Sequence, residues 1–241
     1  MTQSIDRRMR SAVKLKSKIA AGDEPDQGVQ TTVSTTAHRD SGKIRVISAP
    51  CEGEPRPAWK DAPRHVPQVD FPAYRHVPGA SPHPERHEKG HSYGLTISKP
   101  AALSPENWRQ HRAYLLGVDL YHQGYFWESH EAWEGPWGEA EPDSLEANLL
   151  QALILNSAAQ LKIHAGNATG ARKHSLAARW RLARIRAKGY DGEGATFLGL
   201  DIGDLIEQMK NYYGPLWESD STIEIRVRGR EPRLILATDA D

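Results

Sequence analysis

The chain has 241 residues, room for one large domain or for one domain with long extensions. Its 31 Lys and Arg balance its 31 Asp and Glu, so charge gives no reason to expect a nucleic-acid or anionic-membrane partner. The lone cysteine, Cys51, excludes an intrachain disulfide and suits a reducing, cytoplasmic setting, and no apolar run approaches the roughly 18 residues of a transmembrane helix.

From Met1 to about Ala21 the chain is basic and contains Ser, a composition that fits a solvated arm better than a transit peptide, and no apolar stretch marks a secretory signal. Gly22 to about Arg64 is polar with little periodicity; Ile44–Ile47 is its only strand-like patch. Residues 1–63 therefore read as a disordered or flexible arm. Residues 64–99 differ. Pro and Gly preclude a long helix there, yet aromatics and His are dense, which predicts an ordered loop extension wrapped over a domain. His83, His87 and His91 are spaced by four, a spacing without meaning in a loop. The expectation is that His83 and His91 hold the loop's shape, with a contribution to a metal site as the alternative.

Residues 100–214 predict a compact all-α bundle of four to five helices. The first starts at Ser104-Pro105-Glu106, an N-cap, a first-position proline and a first-turn acid, and runs to about His122. Gly124 precedes the second helix, Tyr125 to Trp137, which Gly135-Pro136 closes or kinks. At 3.6 residues per turn, Phe126, His130, Trp133 and Trp137 share a narrow stripe, Glu134 lies one turn past His130, and Trp127 and Glu131 flank that side. A buried carboxylate stripped of its partner costs roughly 3–5 kcal/mol. A cation, a hydrogen-bond network or a metal must therefore compensate His130, Glu131 and Glu134.

Phe126-Trp127-Glu128-Ser129-His130-Glu131-Ala132-Trp133-Glu134, with Trp137 beyond, resembles the signature of the domain of unknown function 309 family: an aromatic pair, Glu, a small residue, His-Glu-x-x-Glu and Trp. The resemblance covers about Ser104 to Ile185. It implies an all-helical fold, and the family's members are often labelled predicted metal-dependent hydrolases, with no established substrate. Gly135-Pro136 departs from the helix-forming residues of that signature and puts the place of Trp137 on the stripe in question. The 64–99 extension is also similar to one that precedes the helical domain in some bacterial members.

The third helix, Leu145 to His164, is apolar around most of its circumference and so predicts a central position; Asp143 or Ser144 caps it. Asn156, Gln160 and His164 form a row along it, natural partners for the polar stripe of the second helix. Gly166 stops this helix and Asn167 caps the next, 168–188, which is basic throughout. Its Arg172 and Arg179 are expected to pair with the second-helix carboxylates, Glu128 included, or to lie in solvent. Asp201 caps a last helix that Gly214 ends. Within 215–241, Thr222–Val227 and Leu234–Leu236 around Gly229-Arg230-Glu231-Pro232 predict a β-hairpin.

Two chemistries suit these residues. In the first, His130 and Glu134 ligate one divalent ion (Zn, Mn or Fe), His164, His83 or His91 completes the set, and Glu131 takes the place of the base in the zinc-protease pattern. Such a site supports metal-dependent hydrolysis of a small-molecule substrate. In the second, the same groups form a structural network with Trp127, Trp133, Asn156 and Gln160 in a non-catalytic scaffold that binds a protein partner or assembles with itself. RNA binding through helix 168–188 is a third, disfavoured reading. No Ser or Cys nucleophile constellation, phosphate-binding Gly loop or dinucleotide fingerprint is present.

Overall fold

The computed structural model describes residues 59–95, 98–190, 192, 194–218 and 231–237. They are mostly helical: α1 (Arg112–His122), α2 (Phe126–Glu139), α3 (Leu145–His164), α4 (Ala168–Arg186) and α5 (Ile202–Glu218), with a two-stranded antiparallel hairpin of β1 (Thr196–Phe197) and β2 (Leu200–Asp201) before α5. Each helix packs on the next, α1 on α2, α2 on α3, α3 on α4 and α4 on α5. α3 is the centre, with Leu149, Leu150, Leu153, Ile154 and Ala159 fully buried. No helix of the described residues is long and apolar enough to cross a membrane.

The caps explain where the helices begin. Ser144 Oγ accepts the Ala147 N–H at 3.0 Å and Asn167 Oδ1 accepts the Gly170 N–H at 2.7 Å, so α3 and α4 start where their sequence signals place them. α1 starts seven residues later than Pro105. Asn107 is engaged in a turn, taking the Ser104 N–H on Oδ1 and giving Nδ2 to the Ala102 carbonyl, and a 3-10 turn, Trp108–Gln110, follows. The cap of α1 is His111, whose Nδ1 accepts the Tyr114 N–H while Nε2 meets the Ala101 carbonyl at 2.9 Å.

Neither Gly-Pro pair stops its helix. α2 runs through Gly135-Pro136 to Glu139, and α5 through Gly214-Pro215 to Glu218. Each proline falls in the last turns, where the lost N–H removes one bond and the helix re-forms at once, as in Ala140 N–H to the Pro136 carbonyl at 3.1 Å. Pro136 is buried and Gly135 faces Pro100, whose Cγ would lie 2.9 Å from an added Cβ. Trp137 stays in the helix but is only partly buried, unlike Phe126, His130 and Trp133.

The hairpin is β1–β2, at residues 196–201. Of the expected hairpin at 222–236, Thr222–Val227 lies outside the described residues. Leu236 makes a single antiparallel bridge to Leu200, and Ala237 N–H reaches the Gly199 carbonyl. Leu234 N–H donates to His122 Nε2 at 3.2 Å, which fixes this segment on α1.

The extension is ordered, and two buried carboxylates hold it. Asp119 of α1 accepts the N–H groups of His65 and Val66 at 2.9 and 2.8 Å. Glu128 of α2 accepts the His76 N–H at 3.0 Å and lies 2.9 Å from His91 Nε2. Phe71 stacks on Tyr125, and the Arg75 guanidinium lies 4.4 Å from the centre of the same ring.

Candidate metal centre

Helix α2 presents its site because the adjoining part of its inward face is locked. Trp133 is fully buried and donates Nε1–H to the Tyr114 carbonyl of α1 at 3.0 Å. Gly117 makes room: a Cβ there would lie 2.2 Å from that nitrogen. Ser129 meets Ser157 of α3 at 2.9 Å between hydroxyls, both residues fully buried. These contacts fix the rotation of α2 and thereby the direction of His130, one residue on from Ser129.

His130 is 2% exposed, and its two ring nitrogens face two carboxylates from the same helix. Nε2 lies 3.2 Å from Glu134 Oε1, and Nδ1 lies 3.7 Å from Glu131 Oε1. The side chain of Glu134 is 8% exposed and that of Glu131 22%. Among the described residues neither His130 nitrogen completes a hydrogen bond of good geometry, although both are buried. An imidazole in that state needs a further partner. His130, Glu131 and Glu134 each offer one ligand atom, and these atoms all lie within 4.8 Å of one another.

The donor set fits a divalent ion. Two donors about 2.0–2.2 Å from one metal stand roughly 3 Å apart, as His130 Nε2 and Glu134 Oε1 do. One imidazole with carboxylates suits zinc, manganese or iron. Glu131, on the other nitrogen, occupies the place of an outer carboxylate that fixes the ring of a ligating histidine.

The remaining residues singled out in the sequence take separate places. Trp127 is a wall between the cluster and the extension: its ring lies edge-on to His130 at 5.8 Å, His76 at 4.8 Å and His83 at 5.3 Å between centroids. His83 Nδ1 accepts the N–H groups of Glu85 and Arg86, and His91 holds Glu128, so both shape the extension. Burial first, then the charges of His83 and His91, push the pKa of His76 down to about 4. His164 packs against Phe126, 5.7 Å between centroids, and burial lowers its pKa to about 4; it is not part of the three-residue group.

Asn156 and Gln160 serve a different network from the expected one. Asn156 Nδ2 donates to Tyr121 OH at 2.9 Å, and Tyr213 OH donates to Asn156 Oδ1 at 2.8 Å. Gln160 bonds Tyr213 and Tyr212 at 2.8 and 3.1 Å. The amides of α3 thus tie α1 to α5. On α4, Arg172 donates to the Trp217 carbonyl at 3.0 Å and the Arg179 guanidinium lies 5.1 Å from the Trp217 ring centre.

Sequence reading did not find Asp119, His76 or His174. The first two gave no periodic signal, since Asp119 accepts from backbone N–H groups fifty-three and fifty-four positions away and His76 donates its own backbone N–H to a carboxylate fifty-two positions away. His174 of α4 comes close enough to His130 to feel its charge: burial, Lys162, Lys173 and then His130 lower its pKa to about 4.

This geometry defines a mostly helical protein with a His-Glu-Glu cluster on one helix, its imidazole buried and its carboxylates half-buried. Residues 114–174, from α1 into α4, match the family model described as Domain of unknown function (DUF309), and the chain carries a domain of that family. No curated protein and no solved structure matches the chain.

Proposed function

We propose that this protein binds one divalent metal ion through His130 and Glu134 and uses it as a hydrolase of a small-molecule substrate. The observation that carries the reading is the His130 imidazole, 2% exposed, with carboxylates on both sides and no completed hydrogen bond at either nitrogen among the described residues. A bound ion supplies a water of lowered pKa at neutral pH. His130 and Glu134 hold the ion. Glu131 holds the imidazole with its proton on Nδ1, leaving Nε2 as the ligating atom. Trp127, edge-on to the His130 ring, excludes bulk solvent on that side, which strengthens the charge interactions inside. A reducing cytoplasmic setting fits a chain with one cysteine.

The test is metal content and affinity. Full-length protein stripped with chelator and titrated calorimetrically with Zn(II) and Mn(II) is expected to take up one equivalent of at least one of them. His130→Ala and Glu134→Gln each abolish uptake. A wild-type protein that takes up neither ion removes the reading.

The scaffold reading keeps one observation in its favour. Asn156 and Gln160 form a closed network with Tyr121, Tyr212 and Tyr213, so part of the buried polar row holds helices together. That network accounts for α3 but not for His130.

A further inference from the structure

Helix α4 has a second face that the described residues leave exposed. Its core stripe is Ala171, Ser175, Ala178, Leu182 and Ile185, all buried. On the opposite side Lys173, Leu176, Trp180, Ala183 and the C-cap Ala187 are exposed, spaced alternately by three and four. That is the spacing of a helix-pairing seam, and it runs about 21 Å along the helix. Leu176 is 37% exposed and Trp180 55%. Beside the seam stand Arg179 and Arg186 on one side and Arg184 on the other, the last in an exposed ion pair with Asp143 at 3.7 Å that a partner's carboxylate would join or replace; the helix carries five Arg, one Lys and no acid.

We propose that this seam docks an amphipathic helix of a partner protein, apolar along its contact stripe and acidic at its edges. Charge decides the occupant. Flanking residues of a helix pair set partner choice, and cationic flanks on both sides select carboxylates. A second copy of α4 would set Arg179 and Arg184 against their like. The seam's aliphatic members, Leu176, Ala183 and Ala187, match apolar side chains rather than stacked bases. Trp180 is the anchor: the Arg184 and Arg181 guanidinia lie 4.9 and 5.1 Å from its ring centre and hold it in place before docking. Arg181 is itself fixed by Asn148 Oδ1 at 3.0 Å.

The test uses the full-length protein and a synthetic three-heptad peptide with Leu at the contact positions and Glu at the flanks, against the same peptide with Lys at the flanks. Saturable one-to-one binding of the Glu peptide is expected, with a change in tryptophan fluorescence and no comparable binding of the Lys peptide. Trp180→Ala and Leu176→Ala each weaken it by about tenfold or more at unchanged melting temperature. Arg184→Glu weakens it and narrows the difference between the Glu and Lys peptides. Equal binding of the two peptides, no binding of either, or binding indifferent to Trp180→Ala overturns the proposal. So does a Trp180-dependent affinity for oligouridine, which assigns the seam to nucleic acid, or a dimer that Trp180→Ala converts to monomer, which assigns it to self-association.

Discussion

Glu128 Oε1 lies 2.9 Å from His91 Nε2, and the same oxygen accepts the His76 N–H, so one buried carboxylate closes the extension onto the first turn of α2. Replacing Glu128 by Ala strands the His76 amide and removes the partner of His91. The cost of a buried donor left without its acceptor is about 1–3 kcal/mol. Urea denaturation of Glu128→Ala should show a loss of that size. Trypsin should also cleave after the exposed Arg86 and Lys89 faster than in the wild type. Unchanged cleavage with unchanged stability would mean that Asp119 and the contacts of Phe71, Pro72 and Arg75 hold the extension without Glu128.

The helical architecture was legible because its signals are local. Ser144, Asn167 and Gly166 act within a turn of their own helix, and the apolar breadth of 145–164 reports its central place directly. The stripe of α2 followed from the same periodicity, and His130, Glu131 and Glu134 do converge. The continuation of α2 past Gly135-Pro136 and of α5 past Gly214 was not legible for a physical reason: proline breaks a helix interior, yet at Pro136 and Pro215 only the last turns remain to be disturbed. The partners of Asn156 and Gln160 were not legible. Periodicity aligned them along α3 but could not say which residue across the core meets each one. Tyr121, Tyr212 and Tyr213 reach them from helices thirty-five to fifty-seven positions away.

Gly117 is a site where one methyl group decides packing. An added Cβ would sit 2.2 Å from Trp133 Nε1, whose indole is fully buried and hydrogen-bonded. Overpacking of this kind costs about 1–3 kcal/mol and can exceed that where neighbours cannot yield. Gly117→Ala is therefore expected to lower the denaturation midpoint despite alanine's better helix propensity. Gly138 in α2 is the control, since a Cβ there meets nothing within 4 Å, and Gly138→Ala should be neutral or stabilising by up to about 1 kcal/mol. Equal effects of the two variants would contradict the close approach of Trp133 to α1.

Acid sensitivity follows from the buried imidazoles. Burial, with Arg233 and His65 adding, lowers the pKa of His122 from 6.5 to about 4, and burial lowers that of His164 to about 4 as well. Both residues are neutral in the folded protein at pH 7 and only 3% and 6% exposed. Between these two values the unfolded chain binds more protons than the folded one, so stability falls as pH drops from about 6.5 toward about 4. It is at full strength above the higher value and levels off below the lower. Each imidazole contributes on the order of 3 kcal/mol to that slope at most. His164→Met should flatten the fall of stability over this range. An identical slope in the variant would show that His164 is not neutral in the folded state.

Glu131 and Glu134 face different nitrogens of one ring, and this predicts different phenotypes. Glu134→Gln removes a donor beside Nε2 and is expected to abolish uptake of the ion. Glu131→Gln leaves both Nε2 and Glu134 in place but weakens the acceptor facing Nδ1. Loss of an outer carboxylate typically costs 10–100-fold in metal affinity. An intermediate loss of about that size in Glu131→Gln, measured by competition with a chelator of known affinity, marks Glu131 as the residue that orients His130. Affinity equal to wild type with any hydrolytic turnover abolished would instead give Glu131 the role of base that its place after His130 suggests. Abolished affinity, equal to that of Glu134→Gln, would make it a third ligand.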